Sequence, residues 1–269
     1  MTCHNRREVT LRCLASLHEA VGQLERRGKG GQWKFQVFVV DDGSTDGTGE
    51  AVKKMFECSN VLDGRVIKGN GNLYWAKGMA LAWREAFKHE GRVRSSASSI
   101  IFNSFLWLND DTILHSDALT SLSRLLEVKN NAVIVGSLID EATGSKTCGV
   151  KEGGLFTGNF VFIPRSVYEK VGMVCGRFHH AWADSDYAMR CRRAGVQVVE
   201  LERIGMTRAH DLRPMLRGVS LLGRIRFLFD PKGWCVHDLL LYRKRNWGTC
   251  AAVASALHLI FHVLKGNRA

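Results

Sequence analysis

The stretch Phe38-Val39-Val40-Asp41-Asp42-Gly43-Ser44-Thr45-Asp46-Gly47-Thr48 decides the fold. Apolar β-formers run straight into two carboxylates, then into a turn rich in Gly, Ser and Asp, then into a helix start. A buried strand tolerates carboxylates only at its end, where water, hydrogen-bond donors or a metal can reach them. The same ending recurs in Phe105-Leu106-Trp107-Leu108-Asn109-Asp110-Asp111-Thr112. Open α/β folds bind their ligands at strand ends along one edge of the sheet. Two such endings predict a site for a polar, metal-bound ligand.

Outward from the first ending, residues 8–27 place Leu11, Leu14, Leu17, Val21 and Leu24 at spacings of three and four, which predicts an amphipathic helix. Residues 34–40 read as a strand and 45–56 as the next helix, with Thr45 or Asp46 placed to cap it. Further strands are expected at 61–68, 99–108 and 132–139, and further helices at 76–88 and 116–129. The turn Asn70-Gly71-Asn72 leads into the first of those helices. Strand and helix thus alternate with short connections, which predicts an α/β fold with a mostly parallel sheet and helices on both faces. After Gly144 come a glycine-rich loop, a strand at 160–163, helices from Arg165 and over 185–194, and a strand at 196–200.

With 269 residues, 45% of them hydrophobic, the chain can bury one large core. Its 8 cysteines form no CxxC pair, which argues against a zinc site or a disulfide framework and fits a reducing cytoplasm. The polar, basic start has no apolar stretch of the signal-peptide kind. A formal charge of +12 favours anionic partners. No nucleic-acid motif or aromatic platform accompanies the basic residues, so nucleic acid is not expected. An anionic membrane surface is preferred, because the basic residues crowd into 203–245. Residues 249–264 are apolar but fall short of the roughly 20 residues that span a bilayer. A helix packed on the domain or on a partner is expected there, with an interfacial helix beside the basic segment as the alternative.

Three acidic clusters carry the chemistry. Asp41 or Asp42, where a strand gives way to a helix, suits a nucleotide base or ribose. Asn109-Asp110-Asp111 offers an amide and two carboxylates, the oxygen ligands that Mg²⁺ and Mn²⁺ prefer. Asp184 and Asp186 open a helix behind Phe178-His179-His180-Ala181-Trp182. Asp184 reads locally either as a helix cap or as a general base raised by burial. Asp186 and Arg190, four apart, are spaced to pair on the helix.

Six segments in order resemble a family 2 glycosyltransferase of the GT-A fold, in the bacterial rhamnosyltransferase-like branch. They are Thr2-Cys3-His4-Asn5-Arg6, the stretch 39–48, Gly71-Asn72-Leu73-Tyr74-Trp75-Ala76, the stretch 107–112, Phe156-Thr157-Gly158-Asn159, and Asp184-Ser185-Asp186-Tyr187-Ala188-Met189-Arg190. The resemblance runs from Thr2 to about His210. It implies a GT-A domain over 1–210, with a nucleotide-sugar half at 1–112 and an acceptor half at 113–210. A basic, partly helical extension with an apolar helix follows at 211–269.

The resemblance implies an inverting, metal-dependent transfer of a sugar, with rhamnose one candidate, from a nucleotide-diphosphate donor to a polysaccharide or lipid-linked acceptor. The enzyme would work in the cytoplasm, peripherally on the inner face of the membrane. Asp184 matches the catalytic base, with Asp186 and Arg190 bracing its helix. Asp111 matches a ligand of Mg²⁺ or Mn²⁺, joined by His210, and Asp110 would face the ribose or sugar beside Asn109. Thr2, Asn5, Arg6, Asp41, Asp42, Asn72 and Trp75 fall on the donor side. Gly158 and Asn159 line the acceptor side. The family also begins with an apolar central strand, whereas here only Met1-Thr2 precede Cys3, so that strand is expected to be almost absent. A catalytically impaired protein that keeps the fold for binding is therefore the alternative. A dehydrogenase or methyltransferase is disfavoured, because no strand-to-helix turn carries GxGxxG.

Overall fold

A computed structural model of the chain describes residues 1–28, 33–94, 102–207, 219–233 and 235–265. Strands β1 (Thr2–Cys3), β2 (Gln36–Asp41) and β3 (Asp63–Lys68) form a parallel sheet in the order β1-β2-β3. Between them run α1 (Arg7–Arg26) and α2 (Thr48–Cys58). Helix α3 (Tyr74–Arg94) leads to β4 (Ser104–Leu108), β5 (Ile113–Leu114), α4 (Ala118–Val128), β6 (Val133–Asp140) and β7 (Lys146–Cys148). Strand β8 (Phe160–Pro164), helices α5 (Arg165–Val171) and α6 (Ala183–Arg193), and β9 (Val198–Thr207) complete the second sheet. Its order is β4-β8-β6-β9-β5 with β7 paired to β6, and it is mixed: β6 runs parallel to β9 and antiparallel to β8.

Both faces of this sheet are covered, and the period of two shows it. Leu108, Ile134, Leu138, Phe160 and Phe162 pack with α1 and α4 on one side. Trp107, Val133, Val135, Val161 and Ile163 pack with α3, α5 and α6 on the other. Helix α1 contributes Leu14, Leu17, Val21 and Leu24, all buried, so the periodicity of the sequence is the packed face. Gly47, in the left-handed region at φ 78°, occupies the cap position of α2. Neither Thr45 nor Asp46 is the capping residue; Asp46 acts one residue earlier, where Oδ1 accepts from Thr48 N at 3.0 Å.

The first strand is short rather than absent. Thr2 pairs with Val40 and Cys3 with Asp41, in parallel register. The Met1 amine extends the ladder by donating to Phe38 O at 2.8 Å, and its burial brings it down to about 6. Among the described residues, this edge of β2 has no strand beside it beyond Phe38, toward Gln36, and β4 pairs with β8 alone. An apolar cavity of about 180 Å³ separates the two edges, lined by Met1, Phe35, Val37, Trp83, Leu106 and Phe162 among others.

The expected strand at 99–108 is described only from 102 onward, as β4. Residues 208–218, which include His210 and several of the basic positions, lie outside the described residues. The basic C-terminal extension is largely helical over its described residues and contains α7 (Leu221–Phe229), α8 (Val236–Trp247) and α9 (Thr249–Lys265), the last at the expected apolar stretch. No described helix is long and apolar enough to cross a membrane.

Candidate functional site

Each aspartate pair lies at a strand end, the first closing β2 and the second following β4. Asp42 is buried, and its carboxylate accepts from Gly71 N at 2.8 Å, Leu73 N at 2.8 Å and Tyr74 N at 3.0 Å. It thereby folds the turn ahead of α3, on which Asn72 stands exposed. Gly69 is required because a side chain there would overlap Asp42, and Gly71 because its φ is 85°. Asp41 Oδ1 accepts from Ser44 N at 3.1 Å. Asn5, itself at φ 49°, laces this turn to the end of β1: its N donates to Ser44 Oγ at 2.9 Å and its Oδ1 accepts from Thr45 N at 2.7 Å. The Thr2 side chain lies against α3 at Gly78, where a Cβ would collide with it.

Arg6 reaches from the β1–α1 junction to the second pair. Nη1 contacts Asp110 Oδ1 at 2.8 Å and Nη2 contacts Asp111 Oδ2 at 3.1 Å. Asp110 Oδ2 and Asp111 Oδ1 are buried with no hydrogen-bond partner among the described residues. Burial pushes the Asp110 carboxyl up to about 6, against the pull of Arg6 and with help from Asp111. Two buried oxygens without donors are costly in a finished fold. An all-oxygen set of this kind suits a hard divalent cation, so the residues present fit such an ion. Asn109 is held beside them: Trp75 Nε1 donates to its Oδ1 at 2.6 Å, and its own N donates to Asn159 O at 2.9 Å.

Asp184 sits in the first turn of α6, behind Trp182, which takes φ 68° at the cap position. Its Oδ1 accepts from Ser185 N at 2.7 Å and its Oδ2 from Gly158 N at 3.2 Å. Burial raises its carboxyl above the usual range, opposed by the Ser185 amide, Lys151 and the Gly158 amide. Gly158 allows this approach, since a Cβ would stand 2.6 Å from the Trp75 ring. Trp75, Asn109, Gly158, Asn159 and Asp184 thus form one connected set. On the inner side of α6 the buried Asp186 pairs with Arg190 Nε at 3.1 Å.

The profile of glycosyl transferase family 2 matches residues 1–185, more than half of the chain. The chain belongs to that family. The protein is accordingly a glycosyltransferase, with the α/β fold of the GT-A type. Among solved structures it is similar to the mannosyltransferase PcManGT from Pyrobaculum calidifontis in complex with GDP-Man and Mn²⁺, at 17% identity and a TM-score of 0.57, over 96% of this chain and 72% of that one. It is also similar to S. aureus TarS 1-349, at 13% identity and a TM-score of 0.55, over 98% and 79% of the two chains. The same TarS fragment in complex with UDP-GlcNAc aligns over 94% and 71%, again at a TM-score of 0.55 and 13% identity. No curated protein matches the chain closely enough to count as a relative.

Several residues around the site of this glycosyltransferase escaped the sequence reading. Asp238 on α8 is fully buried, and its carboxylate accepts from His179 N at 3.0 Å, His179 Nδ1 at 2.9 Å, His180 N at 3.1 Å and His237 Nδ1 at 3.0 Å. Burial alone would raise that carboxyl, but these donors outweigh it and hold it below the ordinary value. The loop ahead of α6 is therefore pinned by the C-terminal segment. His180 on that loop is lowered, first by burial and then by Lys232, and it feels Arg6 and Asp111 as well. Arg245 on α8 gives Asp186 a second partner, Nε to Oδ1 at 2.7 Å. The doublet His179-His180 was the only local signal for any of this.

Proposed function

We propose that this glycosyltransferase moves a sugar with inversion from a nucleoside-diphosphate donor to a hydroxyl of a glycan or lipid-linked acceptor. The observation that carries the reading is Asp184: a carboxylate raised by burial and tied through Gly158 to the strand edge that bears Asn109, Asp110 and Asp111. Asp111, with Asp110 beside it, would hold a divalent ion, Mg²⁺ or Mn²⁺, and His210 is proposed as a further ligand. Such an ion supplies positive charge to the departing diphosphate. The ligands of the similar structures, GDP-Man with Mn²⁺ and UDP-GlcNAc, support a nucleotide-sugar donor.

The remaining work falls to the chain. Asp41, Asn5 and the turn at Asn72, which Asp42 holds in place, form the nucleoside end. Arg6 is proposed to exchange its carboxylate partners for the donor's phosphates. Asp184 takes the proton of the acceptor hydroxyl as that oxygen bonds to the anomeric carbon. The bond from that carbon to the diphosphate oxygen breaks, and the electron pair leaves with the nucleoside diphosphate. A single displacement inverts the centre, with oxocarbenium character in the transition state as in glycoside hydrolysis. Gly158, Asn159 and the loop pinned by Asp238 face the acceptor. The division at residue 112 into donor and acceptor halves, a site of action on the inner membrane face, and rhamnose as the sugar all rest on the motif resemblance.

The test is a panel of GDP-, UDP- and dTDP-sugars with and without Mn²⁺, run on the wild type and Asp184→Asn. The expected result is metal-dependent transfer by the wild type. In the variant, kcat falls by about 10²–10⁴-fold, while nucleotide-dependent thermal stabilisation persists. Near-normal turnover of the variant would remove Asp184 from the base role.

A further inference from the structure

Apart from Val128, every exposed large hydrophobic side chain among the described residues lies between 221 and 264. Helix α9 is two-faced. Ala252, Ala256, Leu259 and Val263 are buried, whereas Leu257 (62% exposed), Phe261 (53%) and Leu264 (41%) face outward. Helix α7 repeats the arrangement. Leu228 is buried against Leu259 and Val263, and Leu222 (61%), Ile225 (37%) and Phe229 (69%) are exposed. The two helices pack on each other, and Arg224 Nη1 donates to Leu264 O at 3.0 Å. Soluble surfaces scatter such side chains singly; a concentration on neighbouring helices marks an interaction surface.

Charge decides the partner. Between 219 and 265 the acidic residues are Asp230 and the fully buried Asp238, whereas the basic ones include Arg226, Lys232, Lys244 and Lys265. A second copy docked on this surface by a two-fold axis would bring like charges together. An anionic bilayer would be attracted by them while its interface takes up the apolar side chains. The described helices do not meet the length and hydropathy of a span, so the geometry is that of lying on the bilayer.

We propose that the exposed faces of α7 and α9 form a docking surface for an anionic lipid bilayer. They would lie in its interface, and the basic residues around them would meet the headgroups. The inference rests on the reading of this protein as a transferase that works at a membrane face. It deepens that reading by naming the residues that make the contact. The surface is continuous with α8, which holds the loop ahead of Asp184 through Asp238, so docking would set the site beside an acceptor carried by the membrane.

The experiment is flotation of the whole chain with phosphatidylcholine vesicles, with and without phosphatidylglycerol, at low and high salt. The expected result is binding to the anionic vesicles at low salt, weakened by salt and by omission of phosphatidylglycerol. The double variant Leu257→Glu/Phe261→Glu should weaken binding by about tenfold or more. Its circular dichroism and Tm should stay unchanged, because both positions face solvent. Arg226→Glu/Lys265→Glu should remove the preference for the anionic lipid. Failure of the wild type to float, or equal flotation of the apolar variant, overturns the proposal. So does a dimer seen by light scattering that the apolar variant abolishes without any change in flotation. Stabilisation by nucleotide and Mn²⁺, measured on the same samples, separates the two readings. If it persists while flotation fails, the docking surface falls and the transferase stands; if it is absent while flotation succeeds, the reverse holds.

Discussion

With one oxygen on Arg6 Nη1 and the other buried without a donor, Asp110 keeps its proton up to about pH 6, against an ordinary 3.8. Between those values the folded chain binds more protons than the unfolded one, so this group lowers stability as pH rises through about 4 to 6. A shift of two units corresponds to about 3 kcal/mol. The buried Met1 amine has the opposite sign. It titrates near 6 in the fold and at 8.0 when free, so it adds stability as pH rises from 6 to 8. Asp110→Asn should therefore raise the Tm of the metal-free protein at pH 7 by up to about 6–12 °C, at about 2–4 °C per kcal/mol for a chain of this size. It should also abolish the rise in Tm produced by Mn²⁺, and differential scanning fluorimetry reads both. A variant that loses stability at pH 7 would show that Arg6 more than compensates the buried carboxylate. At Asp184, where the carboxyl is also raised, the acid limb of kcat should lie above the usual carboxylate value of about 4.

Strand β1 pairs through Thr2 and Cys3. Among the described residues, the edges of β2 and β4 flank an apolar cavity, and such a slot costs stability. Other elements were readable from local patterns. The helices α1 and α4 follow their leucine spacing, and the alternation along β8 splits its residues between the two cores. The bounds of α7 and α8 inside the expected helical extension were not readable, because Arg224, Arg226, Arg243, Lys244 and Arg245 interrupt their apolar residues and the run reads as a charged segment rather than as two faces.

Across the whole molecule, the C-terminal helices buttress the site they follow. Asp238 gathers the loop at His179 and His180, and Arg245 shares the buried Asp186 with Arg190. Arg245→Ala leaves Asp186 with one partner and should cost about 2–3 kcal/mol, seen as a lower Tm. It should also reduce kcat, because α6 carries Asp184. Unchanged values of both would show that Arg190 suffices.

Local chemistry was legible in the linear chain: apolar runs ending in paired aspartates, the i,i+4 pair of Asp186 and Arg190, and the motif order that identifies family 2. These depend on residues within a few positions of one another, and short-range sterics and periodicity govern them. The tertiary structure alone decided which carboxylates remain available. Asp42 is consumed by the turn before α3, some thirty positions on, whereas Asp110 and Asp111 each keep a buried oxygen without a donor. It alone placed Arg6 against carboxylates 104 and 105 positions away, and Asp238 beneath a loop 59 positions earlier. Burial and pairing are properties of the packed molecule. They set the charge and proton affinity of each side chain, and no spacing in the sequence encodes them.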